Sequence, residues 1–386
     1  MNSHRKNKHS IKVFAILSVI TITLVSASCT NQKIISGTNL LSDSNEKLSS
    51  INANECATST NNLEFVCGPH DPEDLISIPG TELIVVSSTT SKGAVNSAGR
   101  ISLVDTTKRT EINYTLDMSG STLPEYSSCP NVPEMSIFKP HGVTLRTGEN
   151  DKHLLYVVNH GGRESVEIFT LNTQSPKVTI TWAGCVILPA NASGNSVATL
   201  TDGGFIVSSF FDPEQGVMFP QLKNYTQTGA AYRWHPTRGL TLLPNSKNAA
   251  NNGVEVSVDG KYLFMNLWTK RQVLRYDLNN LTAKPISTKL DFMPDNIHRA
   301  PDGSMLIGGH ISDILVLESC KKPSCPVDWA VARLAPDTLK VDYLLWEKGT
   351  QTFHGVTGAA QVGDKLWIST YHGDKVAVVV VPPEAL

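Results

Sequence analysis

A short hairpin pattern recurs along the chain and limits the folds open to it. Each copy has an alternating strand, a turn with Asp or Gly, and a second strand rich in β-branched and aromatic residues, as in "NGVEVSVDGKYLFMNLW" from residue 252. The copies begin at residues 73, 141, 195, 252, 295 and 354. This spacing of roughly 40 to 70 residues is the length of one four-stranded blade. The pattern predicts an all-β chain that folds as a six-bladed β-propeller.

The first position of the repeat is polar in every copy, whereas the third is aliphatic. The first positions are Glu73, His141, Asn195, Asn252, Asp295 and His354. Equivalent positions of successive blades converge on the axis of a propeller. Two carboxylates beside amide oxygens are the environment that Ca²⁺ takes with about six to eight oxygen ligands, so the sequence predicts an axial calcium site. Asn, Asp and His also often precede turns simply because their side chains bond to their own backbone. A binding or structural propeller therefore stays an alternative.

Composition and charge exclude several classes of function. The 386 residues are 40% hydrophobic, enough for a sizeable core, and the formal net charge is −2. No Lys/Arg-rich run occurs beyond the first twelve residues, so no nucleic-acid partner is predicted. The sequence has neither a G-x-S-x-G elbow nor an H-E-x-x-H motif, which argues against serine-hydrolase and zinc-protease chemistry.

The N-terminal residues have the pattern of an export signal. Basic residues precede the apolar run "VFAILSVITITLV", which is followed by "SASC". Two alternatives remain open: a lipid anchor at Cys29, with membrane association through it, or ordinary cleavage after Ala27. The predicted organisation is a signal over 1–28, a flexible tether over 29–61 and the propeller over 62–386. The predicted location is the periplasm or the outside of the cell.

The remaining cysteines predict disulfides. Six follow Cys29, an even number in an exported chain, and their spacing fits no zinc pattern. Cys320 with Cys325 and Cys56 with Cys67 are the pairs that proximity in sequence favours. The connectivity is otherwise open.

Four motifs carry a more specific resemblance: "PHGV", "LLYVVNHGG", "NNGVEVSVDGKYLF" and "PDNI". With these motifs the chain resembles the serum paraoxonase and arylesterase family from roughly Pro72 to Val381. Members of this family are calcium-dependent six-bladed lactonases, similar to the gluconolactonase and senescence-marker group. The resemblance implies hydrolysis of small lactones, with aryl esters as side substrates. A sugar-lactone hydrolase, a noncatalytic ligand-binding propeller and an amine–aldehyde-joining enzyme of the strictosidine-synthase-like branch are the alternatives.

The resemblance also implies roles for individual residues. The ligands of a catalytic calcium would be Glu73, Asn195, Asn252, Asp295 and Asn296. The histidine dyad that activates water would be His141 and His160. Residues matching the lining of the same pocket are His310, Tyr371 and His372.

A second, structural calcium is less well matched. Asp74 and the backbone carbonyl of Val143 match two of its ligands, but Ser196 stands where the family usually has an aspartate. Losing a charged ligand puts the binding of this ion in doubt. His354 matches no family role and is predicted to be a polar filler.

Two loops are predicted to choose the substrate chain, "STTSKGAVNSAG" at 88–99 and "FFDPEQGVMFPQLKN" at 210–224. The second has the aromatic and Met content of an apolar wall. It therefore favours medium aliphatic chains over polar sugar lactones.

Overall fold

The fold is described from a computed structural model, which covers residue 59 and the ranges 63–90, 97–174, 177–319 and 325–381. The predicted export signal, Cys29 and nearly all of the predicted tether lie outside the described residues. The boundary at residue 62 therefore stays a prediction. No helix in the part of the chain that is described is both long and apolar enough to cross a membrane.

The predicted six-bladed β-propeller is confirmed. Among the described residues, 25 strands form six sheets, one for each blade. Blade 1 contains β2 (Pro72–Ser77), β3 (Leu83–Ser88), β4 (Arg100–Asp105) and β5 (Thr110–Ile112). Blade 2 contains β7 (Pro140–Arg146), β8 (Lys152–Asn159), β9 (Ser165–Asn172) and β10 (Thr179–Ile187), with β6 (Thr115–Asp117) parallel to β10 at its outer edge. Blade 3 contains β11 (Gly194–Thr199), β12 (Phe205–Ser209), β13 (Ala230–His235) and β14 (Gly239–Leu242).

The remaining three blades repeat the same order of antiparallel strands. Blade 4 contains β15 (Asn251–Val256), β16 (Tyr262–Leu267), β17 (Gln272–Asp277) and β18 (Ile286–Lys289). Blade 5 contains β19 (Met293–Arg299), β20 (Met305–Ile311), β21 (Asp328–Leu334) and β22 (Val341–Glu347). Blade 6 contains β23 (Val356–Val362), β24 (Lys365–Thr370), β25 (Lys375–Val380) and β1 (Glu64–Cys67).

The two ends of the described chain close the ring. Strand β1 pairs antiparallel with β25, with Glu64 opposite Val378 and Cys67 opposite Lys375. The N-terminal strand is thus the outermost strand of the last blade. The hairpin repeat did not predict this pairing, which ties the start of the propeller to its last blade.

Two short α-helices lie above one end of the axis. These are α1 (Met218–Lys223) and α2 (Ile314–Ser319), and single 3₁₀ turns occur at Pro124–Tyr126 and Pro213–Gln215. Residues of both helices join one hydrophobic cluster with Trp268 of blade 4. The ion pair between Lys223 Nζ and Glu318 Oε2, at 2.8 Å, links the helices.

The aliphatic third positions of the repeat form the inner part of the core, as predicted. Each is at most 1% exposed, and in five copies they are Leu75, Val143, Val197, Val254 and Ile297; in the sixth copy Val356 is buried but precedes the register shift, and Ala359 takes the third position. Aliphatic and aromatic side chains from neighbouring blades pack between the sheets. Burial of this apolar surface holds adjacent blades together.

Every innermost strand has a register shift at the polar positions of the repeat. The shifts lie between Pro72 and Asp74, Pro140 and Val143, Gly194 and Val197, Asn251 and Val254, Pro294 and Ile297, and Val356 and Ala359. A bulge leaves residues unpaired and re-aims their side chains. The sixth shift brackets Thr357 rather than His354, so the register inferred for the sixth copy was three residues too early.

Glycines follow two of the polar positions because the inner strands approach closely there. A Cβ atom at Gly142 would collide with the backbone oxygen of Asn195, and one at Gly253 with the backbone oxygen of Asp295. The "HG" and "NG" pairs of the repeat therefore reflect the closeness of successive blades at the axis.

A disulfide joins Cys129, in the segment before β7, to Cys185 of β10. Sequence spacing had left this pair open. Cys67 and Cys325 are disulfide-bonded as well. Their predicted partners, Cys56 and Cys320, lie outside the described residues.

The inner core makes a testable prediction. Leu75→Ala should lower the free energy of unfolding by about 2–5 kcal/mol, because the fully buried site cannot collapse around the cavity. Leu242→Ala, at a side chain that is 46% exposed on β14, is the matched control and should change it by roughly 0.5 kcal/mol or less. Denaturant unfolding measures both. Equal losses would contradict the placement of Leu75 in the core.

Candidate functional site

Polar side chains from the inner strands meet at one end of the axis. They line the floor of a cavity of about 500 Å³. The six residues are Glu73, His141, Asn195, Asn252, Asp295 and Thr357. Each comes from a different blade, at or beside the register shift of that blade. The convergence predicted from the repeat is therefore present, with Thr357 in the place expected for His354.

Buried oxygens at the floor of the cavity, and on Asn296 beside Glu73, are left unpaired by the protein. Glu73 Oε2, Asn195 Oδ1, Asn252 Oδ1 and Asn296 Oδ1 have no hydrogen-bond partner among the described residues. All four side chains are at most 4% exposed. A buried polar atom without a partner costs about 1–3 kcal/mol. Four such acceptors in one place indicate a site built for a cation.

The orientation of these oxygens is fixed from behind. Asn296 Nδ2 donates to the backbone oxygen of Glu73 at 3.1 Å and to its Oε1 at 3.0 Å, which directs Asn296 Oδ1 away from that carboxylate. Thr357 Oγ1 also donates to the Glu73 backbone oxygen, at 2.5 Å. Asn266 Nδ2 holds the backbone of Asp295 at 2.7 Å. The acceptors are held in place without a ligand.

The charge of the cluster also suits a divalent cation. Burial, together with the neighbouring Glu73 carboxylate, raises the pKa of Asp295 well above its usual range. Glu73 and Asp295 supply two negative charges, and the three asparagines are neutral. No group of three or more His, Cys, Asp or Glu side chains suited to a metal ion occurs in the described ranges. The donor set of carboxylate and amide oxygens fits Ca²⁺ better than a transition metal.

Above the acceptors, two histidines and a carboxylate form a hydrogen-bonded chain. His141 Nδ1 lies 2.7 Å from His160 Nε2. His160 Nδ1 lies 2.8 Å from Glu164 Oε1 and 3.0 Å from Oε2. The backbone N–H of Gly194 donates to Glu164 Oε2 at 2.9 Å. The predicted dyad is thus in contact and has a third member.

Glu164 fixes the tautomers of the chain. A carboxylate accepts only, so His160 carries a proton on Nδ1 and offers Nε2 as an acceptor. His141 then donates from Nδ1, and its Nε2, 3.1 Å from Glu73 Oε1, faces the cavity floor. His141 Nε2 is therefore the nitrogen available to take a proton.

The carboxylates of the floor control the charge of His141. Burial lowers the pKa of this imidazole, but the attraction and hydrogen bond of Glu73, together with the charges of Asp295 and Asp74, outweigh burial and raise the pKa to about 9. A cation shared by Glu73 and Asp295 would oppose that attraction. The neutral form required of a base would then be favoured.

The three residues predicted to line the pocket do so. Trp268 Nε1 donates to His310 Nδ1 at 3.1 Å, and burial lowers the pKa of His310 to about 4, so this imidazole is neutral. Burial and the nearby Asp295 raise the pKa of Tyr371 to about 12. Burial and the neighbouring His354 lower the pKa of His372. His354 packs against His372 with ring centroids 5.7 Å apart.

One wall of the cavity is apolar. Its side chains include Phe210, Phe211, Met218, Phe219, Trp268 and Leu317. The first four come from the 210–224 segment, as the sequence indicated. The described residues of the 88–99 loop do not line this cavity.

Asp74 and Val143 lie next to this floor but away from the cavity. Asp74 is fully buried, and both of its carboxylate oxygens accept hydrogen bonds from protein groups. Val143 supplies its N–H to Asp74 Oδ2 at 2.9 Å.

Sequence reasoning missed Glu164, Trp268 and Thr357. Glu164 follows His160 by four residues in the turn "HGGRE", so a carboxylate close behind the strand-ending histidine was the available signal. Trp268 directly follows β16, where the sequence does not distinguish an aromatic site residue from a core residue. Thr357 was missed because the register predicted for the sixth copy was wrong.

Comparisons with known proteins agree with this geometry. A family model described as Arylesterase matches residues 245–376. Serum paraoxonase/arylesterase 1 of Mus musculus is 25% identical over 284 residues, which are 70% of this chain and 74% of the mouse protein. The Homo sapiens counterpart is 24% identical over 287 residues, 71% of this chain and 75% of that protein. The resemblance to the paraoxonase and arylesterase family is confirmed.

A solved structure resembles the fold. Luciferin-regenerating enzyme aligns with a TM-score of 0.51 at 14% identity, covering 82% of this chain and 94% of that one. At this identity the likeness concerns the fold alone.

The repulsion between Glu73 and Asp295 makes a prediction for EDTA-treated protein. A carboxyl group whose pKa is raised on folding destabilises the fold above its unfolded pKa, and the penalty disappears below that unfolded pKa, where the group is protonated in both states. Asp295→Asn should therefore raise the melting temperature at pH 8 and have little effect near pH 4. Asp342→Asn, at an exposed carboxylate, is the control and should be neutral. A lower melting temperature for Asp295→Asn at pH 8 would contradict this account.

Proposed function

We propose that this protein is a calcium-dependent hydrolase of lactones that also accepts aryl esters. The observation that carries the proposal is the set of four unpaired buried oxygens directly beside the His141–His160–Glu164 chain. The likeness to arylesterases supports an ester or lactone hydrolase at the level of reaction class.

Glu73, Asn195, Asn252, Asp295 and Asn296 are proposed to hold the calcium ion. Two carboxylates and three neutral amides balance its double charge without excess negative ligands. When bound, the ion would polarise a carbonyl oxygen and stabilise the negative charge that develops there.

His141 is proposed to act as the general base. Its Nε2 takes a proton from water as the water oxygen attacks the carbonyl carbon, and Glu73 Oε1 at 3.1 Å stabilises the resulting imidazolium. His160 accepts the hydrogen bond from His141 Nδ1 and keeps that ring in orientation. His141 Nε2 then donates this proton to the alkoxide oxygen that is released as the lactone ring opens.

The apolar wall supports medium aliphatic lactones as substrates. Phe210, Phe211, Met218 and Phe219 offer no hydrogen bonds to the hydroxyl groups of a sugar lactone. A buried hydroxyl without a partner is unfavourable, so the cavity disfavours polar substrates. His310 and Tyr371, whose rings meet edge to face, add polar groups to the lining of the same cavity.

We also propose that the protein is exported. The Cys129–Cys185 disulfide supports an oxidising compartment, which agrees with the N-terminal signal pattern. Anchoring at Cys29 and cleavage after Ala27 stay alternatives.

A substrate panel tests the proposal. γ- and δ-Lactones of rising chain length, a sugar lactone and phenyl acetate are assayed with calcium and with EGTA. Turnover should be highest with aliphatic lactones and should vanish in EGTA, and calcium but not zinc should restore it. EGTA should also lower the melting temperature, because the ion binds the native state.

Each other outcome contradicts part of the proposal. Preference for the sugar lactone would indicate a gluconolactonase-type enzyme. Full activity in EGTA would remove calcium from the mechanism. A folded protein that hydrolyses nothing in the panel would indicate a noncatalytic binding propeller.

Glu164 makes a separate prediction, because its proposed role is to orient His160. Glu164→Ala should lower kcat by roughly 10- to 100-fold and leave KM nearly unchanged, since the carboxylate sets the tautomer of His160 rather than contacting substrate. Glu164→Gln retains an acceptor for His160 Nδ1 and should recover part of the loss. Exposed Glu149→Ala is the control. A rise in KM with unchanged kcat would mean that Glu164 shapes the pocket instead.

A further inference from the structure

The carboxylate matched to a second, structural calcium already accepts hydrogen bonds on both of its oxygens. Asp74 Oδ1 accepts from the backbone N–H of Leu75 at 2.8 Å and from His298 Nε2 at 2.6 Å. Asp74 Oδ2 accepts from the backbone N–H of Val143 at 2.9 Å. These three donors converge on one fully buried carboxylate. This is the opposite of the cavity floor, where the acceptors are unpaired.

The other positions matched to that site are also committed to hydrogen bonds. Ser196 Oγ accepts from the backbone N–H of Val254 at 3.2 Å. Ser196 therefore binds the neighbouring blade with the one oxygen its side chain has. Val143 meets Asp74 through its backbone N–H, at 2.9 Å.

His298 lies where Asp74 would face a cation. It is on β19, two residues beyond Asn296, and is 3% exposed. Its Nε2 donates to Asp74 and its Nδ1 lies 4.0 Å from Glu255 Oε2 on the inner strand of blade 4. The imidazole thus spans from blade 1 towards blade 4 across the axis. Calcium needs about six to eight oxygen ligands, and a ring N–H cannot be one of them.

We infer that this chain binds one calcium ion, and that His298 with the N–H groups of Leu75 and Val143 takes the place of a second ion as the partner of Asp74. The inference depends on the proposed function only for the first ion. The contact between His298 and Asp74, rather than a metal ion, then joins blades 5 and 1 below the cavity. We therefore expect the contact between Asp74 of blade 1 and His298 of blade 5 to form with or without calcium.

Calcium stoichiometry tests the inference without any assay of activity. The full chain is stripped with EDTA, dialysed and titrated with CaCl₂ by calorimetry, with bound metal counted by atomic emission. One equivalent per chain is expected, and two would overturn the inference. No bound calcium would overturn the proposed function instead, and would leave Asp74 without an ion, as inferred.

Two variants separate the sites. Asp74→Asn should still bind one equivalent with unchanged affinity, and loss of an equivalent would overturn the inference. Asp295→Asn should bind none, whereas one remaining equivalent would reveal a second site and overturn it. If Asp74→Asn does not fold, the titrations of the unaltered chain and of Asp295→Asn still decide the question.

Discussion

The gathering of unpaired acceptors at the axis is the constraint on which the rest of the structure depends. Glu73, Asn195, Asn252 and Asn296 each bury an oxygen for which the described residues offer no donor. Such a cluster is unfavourable by itself, because buried carboxylates repel and unpaired oxygens lose their hydration. Hydrogen bonds from Asn296 and Thr357 hold Glu73 in place within this cluster. A site prepared in this way needs no rearrangement to bind a cation.

The bulges of the inner strands create this arrangement. A regular strand would alternate its side chains between the two faces of the blade, towards the neighbouring blades. The register shift frees the polar residues from that alternation and turns them to the axis. The aliphatic residue that follows, such as Val143 or Val254, returns to the core between blades. Stability and site geometry are therefore set within three consecutive residues of each blade.

Glu73 and Asp74 show how the two carboxylates of one strand acquire different chemistry. Glu73 keeps one oxygen without a donor, whereas both oxygens of Asp74 accept hydrogen bonds, from three donors in its own blade and two others. Nothing in the side chains themselves separates their roles. The difference lies in whether the facing inner strands present acceptors or N–H groups.

The sequence by itself determined the blade number, the polar axis and the apolar wall of 210–224, because these depend on periodicity and residue type, which are local. The family likeness located His141 and His160 through strand-ending motifs. The closure by β1, the register at Thr357, the Cys129–Cys185 pairing, the third member Glu164 and the partner His298 were decided only by the tertiary structure. Each of these joins residues that are distant in sequence or depends on a bulge of one residue or two. Ring closure fixes such pairings through the packing of all blades at once, and no local pattern encodes it.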